Sequence, residues 1–207
     1  MPHRHTPSLS QFLRESGRAG HEAVERCEFF HRIASGNLTR AHYTAYLARL
    51  TPVYEALESA FDAMPTDSPL ATLRIPGLWR AARLHSDLLV LCGEAARPVD
   101  CVPLAAHIDS LAQGSPHRLV AHYYVRYLGD LSGGQILAPV LARSLGLTTD
   151  AGLRFYEFGG SEAGTWKSRL RGALDALPLS PGEKSDIGGE VATAFSLHVD
   201  FFNSLPS

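Results

Sequence analysis

The sequence predicts an all-α fold in a single domain, and three observations carry this prediction. Apolar side chains recur at three- and four-residue spacing along most of the chain, which is the spacing of one helix face. No segment alternates with period two, as a half-buried strand would. A length of 207 residues with 45% hydrophobic composition suits one domain with a substantial core.

Residues 39–64 show the helical pattern most clearly. Thr39 is a candidate N-cap because its hydroxyl can accept the exposed backbone N–H groups of the first turn. Pro52 predicts a kink within this helix. One apolar stripe follows at helical spacing: Tyr43, Tyr46, Leu47, Leu50, Tyr54, Leu57, Phe61 and Met64.

The last helix has an equally clear start. Ser180, Pro181 and Glu183 form the pattern of a cap, a first-turn proline and a capping-box partner. Its inner stripe consists of Ile187, Val191, Phe195, His198, Phe202 and Leu205.

Turn residues divide the rest of the chain into further helices. Proline favours helix starts and glycine favours helix ends, so that Ser115-Pro116 should open a helix that Gly146 closes. The other helices are expected over residues 9–34, 69–92, 102–113, 149–157 and 162–177, with breaks at Pro76 and Gly159-Gly160. Residues 1–7 should form a flexible tail ahead of one domain over residues 8–207.

Composition excludes several classes of function. A formal charge of −2 provides no basic field for nucleic acid or an anionic membrane, and no apolar run reaches the roughly 18 residues of a membrane span. The first ten residues lack the apolar core of a signal peptide. Cys27, Cys92 and Cys101 show no metal or redox spacing, which favours a reducing cytosol. We therefore expect a cytoplasmic monomer without nucleic-acid or membrane partners.

The segment RYLGDLSGGQIL, residues 126–137, sets three glycines inside a predicted helix. Each glycine costs roughly 1 kcal/mol against alanine in a helix interior. Gly129 and Gly133 share a helix face, where the missing Cβ atoms would let a flat ligand approach the backbone. Close packing against another helix is the alternative for any isolated G-x-x-x-G. Asp130 and Arg126, which are also four apart, favour a polar pocket above a ligand.

Two other interpretations fail because their partner motifs are missing. The string LSGGQ, residues 131–135, also marks the ATPases of ABC transporters, but those enzymes need a phosphate loop containing Gly-Lys, and this dipeptide occurs nowhere in the chain. A di-iron or di-manganese bundle needs two Glu-x-x-His motifs, and only Glu28 with His31 is present. A surface pair near a helix end explains Glu28 and His31 better.

One of the ten histidines differs from the others in its surroundings. His21 follows Gly17, Ala19 and Gly20, so that small residues clear space on the turn before it. Arg14 lies two turns earlier on nearly the same face. An axial ligand of a macrocycle, with a cation near the ring edge, would have this pattern, although spacing alone does not decide it. His122 and His198, on apolar helix faces, are expected to be hydrogen-bonded core residues.

Three segments of the chain resemble haem oxygenases. LVAHYYVRYLGDLSGGQIL, residues 119–137, is similar to the distal helix of that family, and FLRESGRAGHEAVE, residues 12–25, is similar to its first helix. The tail AFSLHVDFFNSL, residues 194–205, fits the same pattern, so that the resemblance extends from about residue 8 to residue 205. It implies a soluble bacterial-type member whose all-α fold sandwiches haem b between a proximal and a kinked, glycine-rich distal helix.

The activity that the resemblance implies uses haem as both cofactor and substrate. Dioxygen and electrons from a ferredoxin, a flavodoxin or an NAD(P)H-dependent reductase would open the porphyrin at a meso carbon, by family default the α position. The products would be biliverdin, carbon monoxide and ferrous iron. The purpose could be iron release or bilin supply to a photoreceptor, and the sequence leaves both open.

The resemblance also implies roles for individual residues. His21 matches the proximal ligand, with Glu25 as the acceptor for its other nitrogen, directly or through water. Asp130 matches the distal aspartate that orders water, and Arg126 and Tyr54 match its partners in one water network. The other expected haem contacts are Gly129 and Gly133 on the distal helix, Lys167, Arg171, Arg14 and Tyr124 near the propionates, and Phe195.

The chain departs from the family pattern at two positions. His198 stands where the animal enzymes carry asparagine, which affects the proton path, and Arg14 replaces a common lysine but keeps the charge. Two rival functions stay open: a non-catalytic haem carrier or sensor on the same fold, and a non-haem enzyme of similar helical architecture, such as a thiamin-degrading type. Asp130 favours the oxygenase over the carrier, because binding alone does not need it. His21 would have no purpose in the non-haem enzyme.

Overall fold

The computed structural model of the chain describes residues 7–93, 102–158 and 163–206. These residues form α-helices joined by short 3-10 segments, with no β-sheet among them, which confirms the predicted all-α fold. The α-helices are α1 (Leu9–Glu25), α2 (Glu28–Ala34), α3 (Arg40–Asp62), α4 (Ala81–Cys92), α5 (Pro103–Gly114), α6 (Leu119–Tyr123), α7 (Gly129–Leu145), α8 (Ala163–Asp175) and α9 (Pro181–Asn203).

The two most clearly patterned helices begin where the sequence predicts. The Thr39 hydroxyl accepts the His42 backbone N–H at 3.2 Å, and the Ser180 hydroxyl accepts the Glu183 N–H at 3.2 Å, each within a complete capping box. Gly146 ends α7 with a left-handed φ of 63°. The apolar stripes of α3 and α9 are buried in the common core.

The predicted helix over residues 9–34 is two helices. The Cys27 N–H donates to the Val24 carbonyl at 3.0 Å, and Cys27 itself is extended, with φ −66° and ψ 142°. This break turns Phe29 toward Tyr46 and Phe202, with ring centroids 4.6 and 5.6 Å apart. The break between α1 and α2 is thus accompanied by aromatic packing of Phe29. The apolar periodicity continues through both helices, so that it does not reveal the break.

Residues 69–92 are also interrupted. A 3-10 segment covers Pro69–Leu73, and α4 begins only at Ala81. Gly77, next to the break predicted at Pro76, has a left-handed φ of 84°.

The predicted helix over residues 149–157 is wrong. This stretch is a loop with one 3-10 turn, Arg154–Tyr156, and Gly152 has a φ of 104°, which no helix accommodates. The buried Asp87 carboxylate accepts the backbone N–H groups of Arg154 and Phe155, both at 2.8 Å. The loop thus finds its hydrogen bonds on α4 instead of within a helix of its own. Burial raises the pKa of Asp87 to about 6.

The packing of the helices positions the cleft that is described below. The first helix, α1, packs along α9, while α3 packs on α4 and α5. The predicted distal helix consists of α6, a π-helical segment over Tyr124–Leu128, and α7. A π segment inside a helix often accompanies a functional site. It lies directly before the glycines of α7, and apolar periodicity gives no sign of it.

No helix within the described ranges is long and apolar enough to cross a membrane. Residues 1–6 of the predicted tail, the predicted break at Gly159-Gly160 and Cys101 lie outside the described residues.

Candidate active site

Two cavities, of about 940 and 370 Å³, open between α1 and the distal helix. They share four lining residues, so that we treat them as the outer and inner parts of one cleft: His21, Val125, Gly129 and Phe195. Each volume lies in the range of about 300–1,000 Å³ typical of small-molecule and cofactor sites.

His21 stands on the α1 wall of the cleft. Its side chain is 62% exposed, and its Nδ1 lies 3.6 Å from Oε1 of Glu25, one turn further along α1. The edge of Phe195 contacts the imidazole, with ring centroids 6.4 Å apart. Because Nδ1 faces a carboxylate, Nε2 is the ring nitrogen that is suited to bind a ligand in the cleft.

The small residues before His21 serve packing. A Cβ added at Gly17 would meet the Phe195 ring at 2.7 Å, and one added at Gly20 would meet the same side chain at 2.4 Å. The sequence suggests that these residues clear space for a ligand. In the structure Phe195 fills the space beside both glycines and forms part of the cleft wall, while Gly17 itself also lines the outer part of the cleft.

The glycines of the distal helix have the opposite surroundings. A Cβ added at Gly129 or Gly133 would meet no atom within 4 Å, and both residues line the cleft. Gly134, in contrast, packs against Tyr156, which an added Cβ would approach to 2.9 Å. Gly129 and Gly133 therefore expose helix backbone to open space, the arrangement that a flat ligand needs for close approach.

Asp130, Arg126 and Tyr54 form one buried network beside the glycine face. Nη2 of Arg126 donates to Oδ1 of Asp130 at 2.7 Å, and the Tyr54 hydroxyl donates to Oδ2. Nε of Arg126 also donates to the Tyr54 oxygen, at 3.2 Å. Burial raises the pKa of Asp130 well above its usual range, and the close guanidinium opposes this rise. The resemblance implies a water chain between these groups, whereas the structure joins them directly.

Two buried polar atoms of the inner cleft have no hydrogen-bond partner among the described residues: Nε2 of His198 and the hydroxyl of Tyr156. Nδ1 of His198 donates to the Ala194 carbonyl at 2.7 Å, so that Nε2 is left as an acceptor. Burial, followed by the charge of Arg126, lowers the pKa of His198 well below its usual range, which keeps the ring neutral. Buried polar atoms normally have partners, and these two therefore indicate a polar ligand or an ordered water in the inner cleft.

Basic side chains gather at the outer part of the cleft. Arg14, Arg18 and Arg171 line it together with Tyr124, and Glu15 and Glu22 are its acidic members. Burial raises the pKa of Tyr124, and the charges of Arg171 and Arg14 partly offset that rise. Three guanidinium groups against two carboxylates leave a net positive rim, which favours an anionic group at the mouth.

Sequence reasoning and structure differ on two of these basic residues. Lys167, predicted to act with Arg171, is half-buried on α8, and it is not among the described residues that line the cleft. Arg18 lines the cleft and was not predicted. Its signal was present, because Arg14, Arg18 and His21 follow one another at helical spacing on a single face of α1.

The haem oxygenase family model matches residues 7–204. The chain belongs to the haem oxygenase family. Heme oxygenase 1 of Homo sapiens is 30% identical over 207 residues, which cover 95% of this chain and 71% of that protein. The heme oxygenase of Guillardia theta is 31% identical, covering 96% of this chain and 86% of the relative.

Solved structures agree with this family assignment. Heme oxygenase from Leptospira interrogans matches with a TM-score of 0.88 at 34% identity, covering 96% of this chain and all of the other. Heme oxygenase-1 from the cyanobacterium Synechocystis, in complex with heme, matches with a TM-score of 0.88 at 30% identity, covering 95% and 91%. The resemblance noted in the first and distal helices is confirmed, and the rival of a non-haem enzyme loses its support.

The cleft of this haem oxygenase fits a haem in its donor set. An imidazole stands on one wall, an open glycine backbone lies along the other, and a basic rim closes the outer end. The unpartnered polar atoms of His198 and Tyr156 belong to residues that line the inner part, as Asp130 does.

Proposed function

We propose that the chain oxidatively cleaves haem to biliverdin, with release of carbon monoxide and ferrous iron, at the cleft between α1 and the distal helix. One observation carries this proposal: the same cleft presents His21 from α1 and the open face of Gly129 and Gly133 from α7, with buried Asp130 beside that face. When bound, haem would supply the iron at which dioxygen is activated and would itself be the substrate that is oxidised.

His21 is the proposed axial ligand. Its Nδ1 faces Oε1 of Glu25 at 3.6 Å, and this contact orients the ring so that Nε2 serves the iron. Phe195 packs against the ring edge and limits its rotation.

The basic rim is the proposed binding site of the two haem propionates. Arg14, Arg18 and Arg171 offer planar guanidinium groups, which suit carboxylates because two N–H groups can donate to one carboxylate. Tyr124 adds a hydroxyl at the same edge. A haem held there by both propionates would direct its opposite edge, and one meso carbon, toward the inner part. This orientation supports the IXα isomer as the product.

The buried network is the proposed proton relay. Arg126 and Tyr54 fix both oxygens of Asp130, so that the carboxyl cannot swing toward the iron and act as a ligand. Held between Arg126 and Tyr54, the Asp130 carboxylate would order a water that delivers protons. Nε2 of His198 and the Tyr156 hydroxyl provide further contacts for such a water in the inner cleft.

The reaction also needs dioxygen and electrons. We infer that a ferredoxin, a flavodoxin or an NAD(P)H-dependent reductase donates these electrons, that the chain acts as a monomer in the cytoplasm, and that its biliverdin can pass to a photoreceptor. The absence of a span-length apolar helix from the described residues is consistent with the cytoplasmic assignment.

The test uses haemin and the full chain. A Soret band should form on mixing, and addition of ascorbate or a ferredoxin system in air should convert it to a green bilin with release of carbon monoxide. A Soret band that persists under these conditions would assign the chain to haem carriage or sensing. Failure to form the band would remove haem from the cleft altogether.

A further inference from the structure

A second cluster of metal-ligating side chains lies outside the cleft, where three helices meet. His107 of α5, His122 of α6 and Glu190 of α9 converge on one point. Nε2 of His107 and Nε2 of His122 lie 2.7 and 3.0 Å from the same atom, Oε1 of Glu190. One ligand atom from each side chain falls within 4.8 Å of the others.

Without a metal, hydrogen bonds hold this cluster together. Both imidazoles approach the same carboxylate oxygen of Glu190, and Glu190 and His122 are buried. Three metal-ligating groups therefore meet in a site that is largely closed to solvent.

We propose that His107, His122 and Glu190 bind one divalent transition-metal ion of the Zn²⁺ or Fe²⁺ type. Two imidazoles with one carboxylate are the protein ligands of His₂Glu zinc sites and of non-haem ferrous sites. The remaining coordination position would be filled by water.

The distances suit such an ion. Ligand atoms at 2.0–2.2 Å from a tetrahedral metal are separated by about 3.3–3.6 Å. The two N–O separations, 2.7 and 3.0 Å, would therefore open by roughly 0.3–0.9 Å, and the partly exposed His107 has the most room to move. Each imidazole would then present its Nε2 lone pair and carry its proton on Nδ1.

The nearby charges permit an added cation. Nη1 of Arg118 lies 3.9 Å from Oε2 of Glu190, and Nη2 lies 3.7 Å from Asp186, which also pairs with His117 at 3.1 Å. Arg118 is partly exposed and can stay with Asp186 when a metal replaces it at Glu190. Without the metal, these two carboxylates share a single arginine.

The surroundings of His122 predict a moderate affinity. Metal-bound histidines usually donate their second N–H to an acceptor, but the buried Nδ1 of His122 has no partner among the described residues. Metal binding at Nε2 of His122 would place the ring proton on Nδ1. Because Nδ1 has no partner among the described residues, no hydrogen bond at Nδ1 is broken by this change. The missing support should weaken metal binding by about ten- to a hundredfold relative to a fully supported site.

The ion has a route to the site from solvent. The His107 side chain is 31% exposed, while Glu190 and His122 behind it are buried. Glu190 also lies eight residues before His198 on α9, about 12 Å along the helix axis. The cluster is therefore separate from the inner cleft but shares a helix with it.

The experiment titrates Zn²⁺ into the full chain by calorimetry, with haem bound and without it. The background carries His3→Ala and His5→Ala to remove tail histidines. We expect one ion per chain in both forms, and at least a tenfold loss of affinity in His107→Ala, which changes the partly exposed member of the cluster. Glu190→Gln should lose binding as well.

The matched control is His85→Ala. His85 makes a 2.7 Å contact with Glu55, but the two belong to no cluster of three metal-ligating groups among the residues that the structure describes, so that Zn²⁺ affinity should be unchanged. Zn²⁺ should also raise the melting temperature of the protein with the intact cluster and leave the melting temperature of the His107→Ala variant unaltered. A chain that binds no Zn²⁺, or a His107→Ala variant that binds it as tightly, would show that the cluster is only a hydrogen-bonded support. Either result leaves the haem proposal intact.

Discussion

The two walls of the cleft use glycine for opposite purposes. On α1, Gly17 and Gly20 admit the ring of Phe195, and an added Cβ would collide with it. On α7, Gly129 and Gly133 face open space. The proximal glycines thus contribute to protein packing, whereas the distal glycines preserve room for a ligand. A glycine can therefore mark either a packed core position or a ligand site. The two cases are distinguished by whether another side chain lies against the glycine.

The polar groups of the two walls differ in the same way. His21 and Glu25 form a local pair, one turn apart on an exposed helix face. Asp130 depends on Tyr54, which is 76 residues away in the sequence and fully buried. The proximal wall should therefore tolerate changes elsewhere in the fold, while the distal wall depends on tertiary packing.

The largest effect is expected at the proximal wall. His21→Ala removes the proposed axial imidazole, and bilin formation should fall by at least about a hundredfold, since even partners behind a ligand are worth ten- to hundredfold. The absorption spectrum of the haem complex and the bilin yield are the measurements, and added imidazole should restore part of both. His31→Ala, at another histidine of the inner cleft, is the control. A wild-type spectrum in His21→Ala would transfer the ligand role to a different residue.

Asp130→Ala should separate binding from catalysis at the distal wall. The carboxylate is not expected to ligate iron, so that haem affinity should change little, while biliverdin yield falls by about a hundredfold because the acceptor that orders a proton-delivering water is lost. Oxidation of guaiacol with hydrogen peroxide should increase at equal haem loading. Asp130→Asn should be milder but impaired, since an amide offers a donor where a carboxylate accepts. Wild-type biliverdin yield in Asp130→Ala would shift the relay to His198 or Tyr54.

Single alanines can test the glycine comparison directly. Gly20→Ala should destabilise the haem-free chain by about 1–3 kcal/mol, because the new methyl overlaps Phe195. Gly129→Ala should stabilise the same form by up to about 1 kcal/mol through helix propensity, and should weaken haem binding. Urea unfolding and haem titration of both variants give the result. Equal destabilisation by the two substitutions would contradict the contrast between the walls.

The smallest effect concerns the rim. Arg171→Ala should weaken haem binding by about tenfold, the value of one partly exposed charge-assisted contact, and should yield a mixture of bilin isomers. Lys167→Ala should change affinity less, since Lys167 does not line the described cleft. Haem titration and chromatography of the bilins compare the two. If Lys167→Ala has the larger effect, α8 must approach the propionates from a different side.

The helix boundaries that depend on neighbouring residues could be predicted from the sequence. The caps at Thr39 and Ser180 and the left-handed glycine at Gly146 are set by residues within a turn of each boundary. The residues of the cleft could be named from the resemblance of the first and distal helices, and most of them do meet there, including His21 and Asp130.

Tertiary contacts explain the failures. Residues 149–157 have helical periodicity, but the carboxylate of Asp87 on α4 takes their backbone N–H groups and holds a loop. That loop supplies Tyr156 to the inner cleft, a residue that no motif indicated. The direct bond between Tyr54 and Asp130 likewise depends on how α3 packs against the distal helix.

The π-helical segment Tyr124–Leu128 has a wider turn than the α-helices on either side of it, and this turn contains about one extra residue. A wider turn delays the rotation of every side chain that follows, so that a helical wheel drawn from Leu119 cannot describe α7. If the same residues wound as an ordinary α-helix, the extra residue would swing the downstream face by about 100°. Gly129 and Gly133 would then point elsewhere, and longer side chains would take their place above the cleft. The wider turn thus sets the angle between the core-facing side of α6 and the cleft-facing side of α7. The segment Tyr124–Leu128 therefore matters for the orientation of α7 as well as for its own side chains.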